Sequence, residues 1–251
     1  MTLAGGAPVV TSRSRYRDSV ERLGAAQKSR VGPLYTVWIN RWFGRRLAAL
    51  ADIVGMRPNQ VTVVSAACTF VAIVLLCVVS GGAAVAAITT LLLVGFAFDA
   101  ADGQLARLHG GGSVSGEWLD HMVDAIKVTA LHGAVLIHLF RFTDVGDAWL
   151  LAPIGYATVN GGRFFAQILS DQLVRARTGR AKTAPVGQSM LKGIVGLPAD
   201  YGVLCITFAL LVVPGAFVAV YSAFLAANTL HFVTASHNRF REMQRIDGAA
   251  S

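Results

Sequence analysis

Charge is scarce in this sequence. Only 14% of its 251 residues are Asp, Glu, Lys or Arg while 54% are hydrophobic, a balance too apolar for an ordinary soluble domain and one that places the chain among polytopic membrane proteins. Cysteine is scarcer still: Cys68, Cys77 and Cys205 all fall inside apolar segments, without Cys-x-x-Cys spacing. That argues against a disulfide framework or a thiolate zinc site and leaves packing as their role. The N-terminus carries Arg13, Arg15, Arg17, Arg22, Lys28 and Arg30 but lacks an early apolar core and a small-residue cleavage site. A secretory leader is therefore not expected, and insertion is expected to rely on later spans. Acids are outnumbered, 14 against 22 Lys and Arg, for a formal charge of +8. A nucleic-acid reader would show a basic stripe on a soluble fold, whereas here arginines stand at the ends of apolar runs, so membrane topology accounts for the charge and no nucleic-acid partner is expected.

Residues 1–32 offer no apolar face long enough to bury and are read as a polar, partly mobile segment without assigned function. From Pro33 to Leu50, Tyr35, Trp38, Ile39, Trp42, Phe43, Leu47 and Leu50 recur at helical spacing with Arg41, Arg45 and Arg46 between them. This predicts an amphipathic helix, within 33–55, lying in the cytoplasmic interface with its tryptophans at headgroup level; the plainer alternative is a connecting helix packed on the bundle. Six spans are expected near 60–80, 83–106, 117–140, 147–170, 190–213 and 215–237, forming a transmembrane domain over 56–238 with a polar tail at 239–251. The second runs on through its aspartates until Gly110-Gly111-Gly112-Ser113 breaks it, and the fifth is interrupted by Gly193, Gly196, Pro198 and Asp200. The expected fold is thus all-α integral membrane, six transmembrane helices preceded by an N-terminal amphipathic interfacial helix. With the N-terminus inside, the inner segments hold nearly all the Lys and Arg and the outer loops only Arg141, which puts both termini on the cytoplasmic side.

The few acids are not scattered. Asp99, Asp102, Asp120 and Asp124 lie where two apolar runs meet, a place where carboxylates are hard to solvate and need cations. On helices the i, i+3 pair Asp99/Asp102 and the i, i+4 pair Asp120/Asp124 each project from one face. Four carboxylates converge if the helices are neighbours, and oxygen-only ligands suit Mg²⁺ or Mn²⁺ with positions open for phosphate oxygens. The alternative is that they cap helices or pair with Arg107 and Lys127. Arg163 and Lys127, inside expected spans, point to a polar cavity. Arg175, Arg177, Arg180, Lys182 and Lys192 form a second basic cluster on the same side, suited either to an anionic acceptor or to topology and anionic lipid. His132, His138 and His231 are isolated and read as structural.

The pattern Asp99-x2-Asp102-Gly103-x2-Ala106-Arg107-x8-Gly116-x3-Asp120-x3-Asp124 resembles the signature of the CDP-alcohol phosphotransferase family at every defining position. Eight such positions coincide by chance about once in 10¹⁰ starting points. The resemblance implies metal ligation by Asp99, Asp102 and Asp120, with Asp124 completing a second site and serving as the family's usual base, so that two Mg²⁺ or Mn²⁺ ions are the expected cofactors. Donor contacts are implied for Gly103 and Arg107, for Ser113, where relatives using inositol phosphate place a donor-contacting serine, and for Asn59 and Thr62 on the cytidine side. Arg163, Arg175 and Lys192 are the acceptor-side candidates. The implied activity moves a phospho-alcohol group, such as phosphatidyl from CDP-diacylglycerol, to a hydroxyl acceptor with release of CMP, in phospholipid synthesis, by a homodimer. One departure matters: Gly116-Glu117-Trp118-Leu119-Asp120-His121 resembles the segment of the choline/ethanolamine phosphotransferases, which join a small CDP-alcohol to diacylglycerol.

Two questions stay open at this level. A divalent-cation transporter also clusters intramembrane aspartates, but it would place them near the midplane between inverted repeats, and no internal repeat is evident; a noncatalytic scaffold would not need the intact motif. The base is Asp124 on the wider family pattern or His121 on the choline/ethanolamine pattern. A metal-bound carboxylate is a poor base and histidine titrates near neutrality, yet a histidine beside an aspartate can also serve only to orient it.

Overall fold

The computed structural model describes residues 12–25, 32–179, 194 and 196–248, and among them there is helix but no strand. The order is α1 (Ser12–Ala25), a π-helical turn (Thr36–Asn40) running into α2 (Arg41–Val54), α3 (Pro58–Val78), α4 (Gly82–Leu108), α5 (Val114–Phe142), α6 (Leu151–Thr178), α7 (Tyr201–Thr207, continued by a 3-10 turn, Phe208–Val212) and α8 (Pro214–Gly248). Pro58 opens α3, where a missing N–H costs nothing, and the Arg57 N–H is taken up by Gln60 Oε1 at 2.8 Å. At 27 residues α4 is about 40 Å long. It therefore crosses an apolar layer and still projects its aspartates at one end. Gly110 and Gly111, at φ 93° and 130°, then turn the chain where a side chain would be strained, and Ser113 caps α5 by accepting from the Gly116 N–H at 3.0 Å.

Among the described residues four helices, α3, α4, α5 and α8, are long and apolar enough to cross a membrane. The other two expected spans differ. α6 has the length, 28 residues, but Asn160, Arg163, Gln167, Asp171, Gln172, Arg175 and Arg177 make it too polar to qualify. Among the described residues the fifth holds the short apolar helix Tyr201–Val212; residues 180–193 and 195, which include Arg180, Lys182 and Lys192, lie outside the described residues. Asp200 begins this helix. It accepts from the Gly202 N–H at 3.1 Å, capping α7, and from the N–H and hydroxyl of Thr36 at 3.0 and 2.8 Å. What reads in sequence as an interruption is a helix start tied to the turn before α2. At the other end, the segment expected as a polar tail continues as helix to Gly248.

Two apolar clusters hold the bundle. The larger gathers Leu76, Ile88, Leu92, Leu131, Leu139, Phe208, Phe217 and Tyr221; the smaller gathers Leu23, Ala48, Ala51, Val61, Ala101 and Leu105. α4 belongs to both, with the aspartates at the seam. α2 packs through Gly44, Ala48 and Ala51; it leaves Trp42, Phe43 and Leu50 exposed, as the turn before it leaves Trp38, with the Arg46 guanidinium 3.3 Å over the Trp42 ring.

Within the segment expected to be partly mobile, α1 is a docked helix. Leu23 is buried, and the Ser19 hydroxyl donates to Asp52 Oδ2 at 2.9 Å while His109 Nε2 meets Asp52 Oδ1 at 2.9 Å. One carboxylate thus ties α1, α2 and the end of α4. The His109 hydrogen bond holds the Asp52 carboxyl below the ordinary carboxylate range, with Ser19 and nearby Arg15 adding to it and burial opposing. A carboxyl depressed on folding lends stability that is present above its unfolded value and lost as pH falls through its folded value. Exchange protection factors of the α1 amides, which normalise for intrinsic pH effects, should therefore drop at pH below the ordinary carboxylate range. Asp52→Asn should show that low protection already at neutral pH; wild-type protection in the variant would remove this account of the tie.

Candidate functional site

The five residues between α4 and α5 fold them into a hairpin, bringing both aspartate pairs to one end. Single oxygens of Asp99, Asp120 and Asp124 lie within 4.8 Å of one another, a spacing at which one small cation can touch all three. The donors are hard carboxylate oxygens, which fit Mg²⁺ or Mn²⁺ and disfavour soft metals. Asp102 stands apart from this trio. It is buried, and its Oδ2 accepts from the Thr62 hydroxyl of α3 at 2.8 Å. The i, i+3 spacing places Asp99 and Asp102 on one side of α4, but their neighbours differ.

Lys127 reaches into the trio from one turn further along α5. Its Nζ lies 2.8 Å from Asp99 Oδ1, 3.1 Å from Asp124 Oδ1 and 3.2 Å from Ser65 Oγ, and the residue is 6% exposed. The sequence placed Lys127 in a polar cavity and offered the aspartates as its partners, with the i+3 spacing from Asp124 as the signal; Ser65 was the partner it did not name. The pairing of aspartates with Lys127 weighed as an alternative is present, but it leaves the second oxygens of both carboxylates for a cation.

An open cleft of about 770 Å³ adjoins the aspartates, lined by Arg57, Asn59, Gln60, Thr62, Asp102, Gly103, Ala106, Arg107, Ser113, Gly116 and Asp120 among others. It gathers every donor-side residue expected from the sequence. A Cβ on Gly116 would fall 2.9 Å from Asn59 Oδ1 and 3.0 Å from Ser113 Oγ, so glycine is what lets α5 approach α3 here. On Gly103 a Cβ would meet only the Arg107 side chain, at 3.6 Å, which leaves the α4 wall open to a ligand. Two arginines and several amide and hydroxyl groups around a carboxylate end suit a phosphate ester bridged to cations.

His121 is placed differently. It lines a groove of about 540 Å³ between α5 and α6 with Trp118, Met122, Phe164, Phe165 and Arg175, its ring edge-on to Phe164. Its nitrogens are 3.9 Å from Glu117 Oε1 and 4.0 Å from Asp120 Oδ2. The i, i+3 relation to Asp124 does not give the two a common environment: Asp124 turns to Lys127 and His121 to the groove. Arg175 pairs with Glu117 at 3.3 Å at the same groove, whereas Arg163 lines a separate small polar cavity with Tyr156, Asn160, Asp200, Tyr201 and Asn228. The acceptor candidates Arg163 and Arg175 are therefore not brought together, and Lys192 lies outside the described residues. His132 receives the Asn160 amide at 2.9 Å and contacts the Tyr221 hydroxyl, and His138 meets the Leu76 carbonyl at 2.9 Å; both are satisfied structural groups.

Comparison with known proteins agrees with this picture. A phosphatidylinositol phosphate synthase of Corynebacterium glutamicum is 40% identical over 97 residues, a stretch that is 39% of this chain and 43% of that protein. The chain thus matches less than half the length of this relative. The crystal structure of Mycobacterium tuberculosis phosphatidylinositol phosphate synthase (PgsA1) in complex with manganese and citrate superposes with a TM-score of 0.56 at 16% identity, over 77% of this chain and 87% of that one, a likeness of fold. The family pattern described as CDP-alcohol phosphatidyltransferase matches residues 55–235. It runs from the turn before α3 well into α8, and on that ground the chain belongs to the CDP-alcohol phosphatidyltransferase family.

Proposed function

We propose that the chain is an integral-membrane, Mg²⁺- or Mn²⁺-dependent transferase that moves a phosphatidyl group from a CDP-linked donor such as CDP-diacylglycerol to a hydroxyl acceptor, releasing CMP. The carrying observation is the convergence of Asp99, Asp120 and Asp124 oxygens within 4.8 Å beside a cleft lined by Arg57, Arg107 and Ser113. Both solved and curated relatives are named as phosphatidylinositol phosphate synthases, one of them with manganese, which supports phospholipid synthesis and the metal. Divalent cations held by Asp99, Asp102, Asp120 and Asp124 would supply charge neutralisation on the pyrophosphate. Thr62 fixes Asp102 through its hydroxyl proton, Arg107 on the cleft wall is placed to donate to a phosphate oxygen, and Asn59 and Ser113 line the rest. The lysine and arginine bias supports placing this end, and both termini, on the cytoplasmic side, and the family resemblance supports a homodimer.

An apolar notch of about 380 Å³ supports a lipid-linked donor. Met56, Val63, Val64 and Leu119 line it, and it shares Asn59 and Gln60 with the cleft. A donor with its nucleotide in the cleft can leave an acyl chain there. The second reading, a small CDP-alcohol with a diacylglycerol acceptor, has its own observation: His121 sits at an apolar groove beside the aspartates. Incubating purified protein with labelled CDP-diacylglycerol or small CDP-alcohols, each with a panel of acceptors, separates the two. CMP release that needs metal and CDP-diacylglycerol is the expected result; turnover confined to small CDP-alcohols with diacylglycerol moves the assignment to the second reading, and ion flux without nucleotide turnover moves it to a transporter.

Asp99→Asn, Asp102→Asn and Asp120→Asn should each lower kcat by about 10²-fold or more without unfolding the chain, because phosphate neutralisation is lost while the apolar core is untouched. Near-normal activity of Asp99→Asn at saturating Mg²⁺ and Mn²⁺ would sink the metal reading. For the base, our reading is Asp124: Asp124→Asn should lose turnover yet bind donor and metal, and His121→Ala should keep measurable turnover with a shifted pH profile. A dead His121→Ala with intact donor and metal binding transfers the role to His121.

A further inference from the structure

We propose that Lys127 is the built-in counter-ion of the aspartate centre and the positioning residue for Asp99 and Asp124, a role that rests on the metal-dependent reading of that centre. A lysine at 6% exposure is costly unless all of its charge and hydrogen-bonding capacity is answered. Here it is. The ammonium has three protons, and three acceptors surround it: Asp99 Oδ1 on α4, Asp124 Oδ1 on α5 and Ser65 Oγ on α3, at 2.8, 3.1 and 3.2 Å. Ser65 passes its own proton to the Gly95 carbonyl at 2.9 Å, so the hydroxyl is fixed as an acceptor towards Lys127. One cation is thereby anchored to three helices.

Two consequences follow from which oxygens it takes. Lys127 engages one oxygen of each carboxylate, so it sets their orientation while leaving the other oxygen to a divalent ion. Asp102 is pinned from outside as well, by Thr62, so three of the four motif aspartates are held by side chains other than one another. The ammonium also offsets part of the repulsion among carboxylates that must sit together before any divalent ion arrives. A lysine that served only as a packing ion pair would stabilise the fold equally with and without metal. A counter-ion within 3.1 Å of two ligands shares their charge with the metal, so its removal must change how strongly metal stabilises the protein.

The test compares purified full-length protein with Lys127→Met and Lys127→Arg. The metal-free melting temperature of Lys127→Met should fall by roughly 5–10 °C. Its rise on adding Mn²⁺ should exceed that of wild type, the Mn²⁺ dissociation constant should tighten by about tenfold as one positive charge is removed, and kcat at saturating Mn²⁺ should fall by about tenfold or more with a small change in KM for the donor. Lys127→Arg keeps the charge and should restore most of the metal-free melting temperature. A Mn²⁺-induced rise in Lys127→Met equal to that of wild type would overturn the proposal. If Lys127→Met cannot be purified, Ser65→Ala keeps every charge and loses one anchor: a wild-type Mn²⁺ response with lowered kcat supports the positioning role, and wild-type kcat overturns it. Because the melting comparisons need no turnover, they stay readable even if no donor releases CMP, an outcome that would count against the proposed transferase alone.

Discussion

Like charges in a poorly polarisable place govern this molecule. Two carboxylates 4.8 Å apart repel by roughly 3–4 kcal/mol at an effective dielectric constant of 20, and Asp99, Asp120 and Asp124 form three such pairs. Their sum is of the order of a domain's whole stability. Nothing in the apolar clusters can compensate this locally, since apolar contact is indifferent to charge. Cations or bound protons must, and the geometry supplies fixed cations and donors. Lys127 enters from α5 and is steadied by Ser65 of α3, the Thr62 hydroxyl holds Asp102, and Arg107 waits on the open side.

The same requirement explains how the helices are used. α3, α4 and α5 carry the charged centre, and all three are also long and apolar enough to cross a membrane. Long apolar stretches fix them in place, so the short polar stretch at one end is held by leverage from the other. α6 and α8 pack against this unit through the Tyr156 and Tyr221 rings around His132, and with α7 they supply a second, smaller polar cavity around Arg163. α5 is the partition between two open spaces. Its first turns present Asp120 to the polar cleft and His121 to the apolar groove, and Glu117 borders both.

Much of this was legible from spacing, and what was not has identifiable reasons. The motif led to the aspartate hairpin and to residues that line one cleft, because helix periodicity decides which side chains share a face. Periodicity does not decide what lies opposite, so it could not part Asp99 from Asp102, or Asp124 from His121. Lys127 read as a charge inside a span and as an alternative partner of the aspartates, but its anchor on Ser65, 62 residues earlier, could not be read from spacing. Pro198 and Asp200 read as interruptions because a helix start and a helix break use the same residues; only the Thr36 contact tells them apart. α1 was underestimated because Leu23 and Ser19 dock on α2 and α4 one contact at a time, with no stripe to betray it.

The hairpin connection of α4 and α5 bears on how the protein comes into being. All residues of the charged centre, from Thr62 to Lys127, belong to three consecutive helices joined by short turns. Contacts among consecutive helices need none of the chain that follows them, and chains fold from the N-terminus as they are made. The centre can therefore assemble at the ribosome while α6 to α8 are still unmade. Biogenesis then has an order: ion-holding machinery first, and the walls of the α5–α6 groove afterwards.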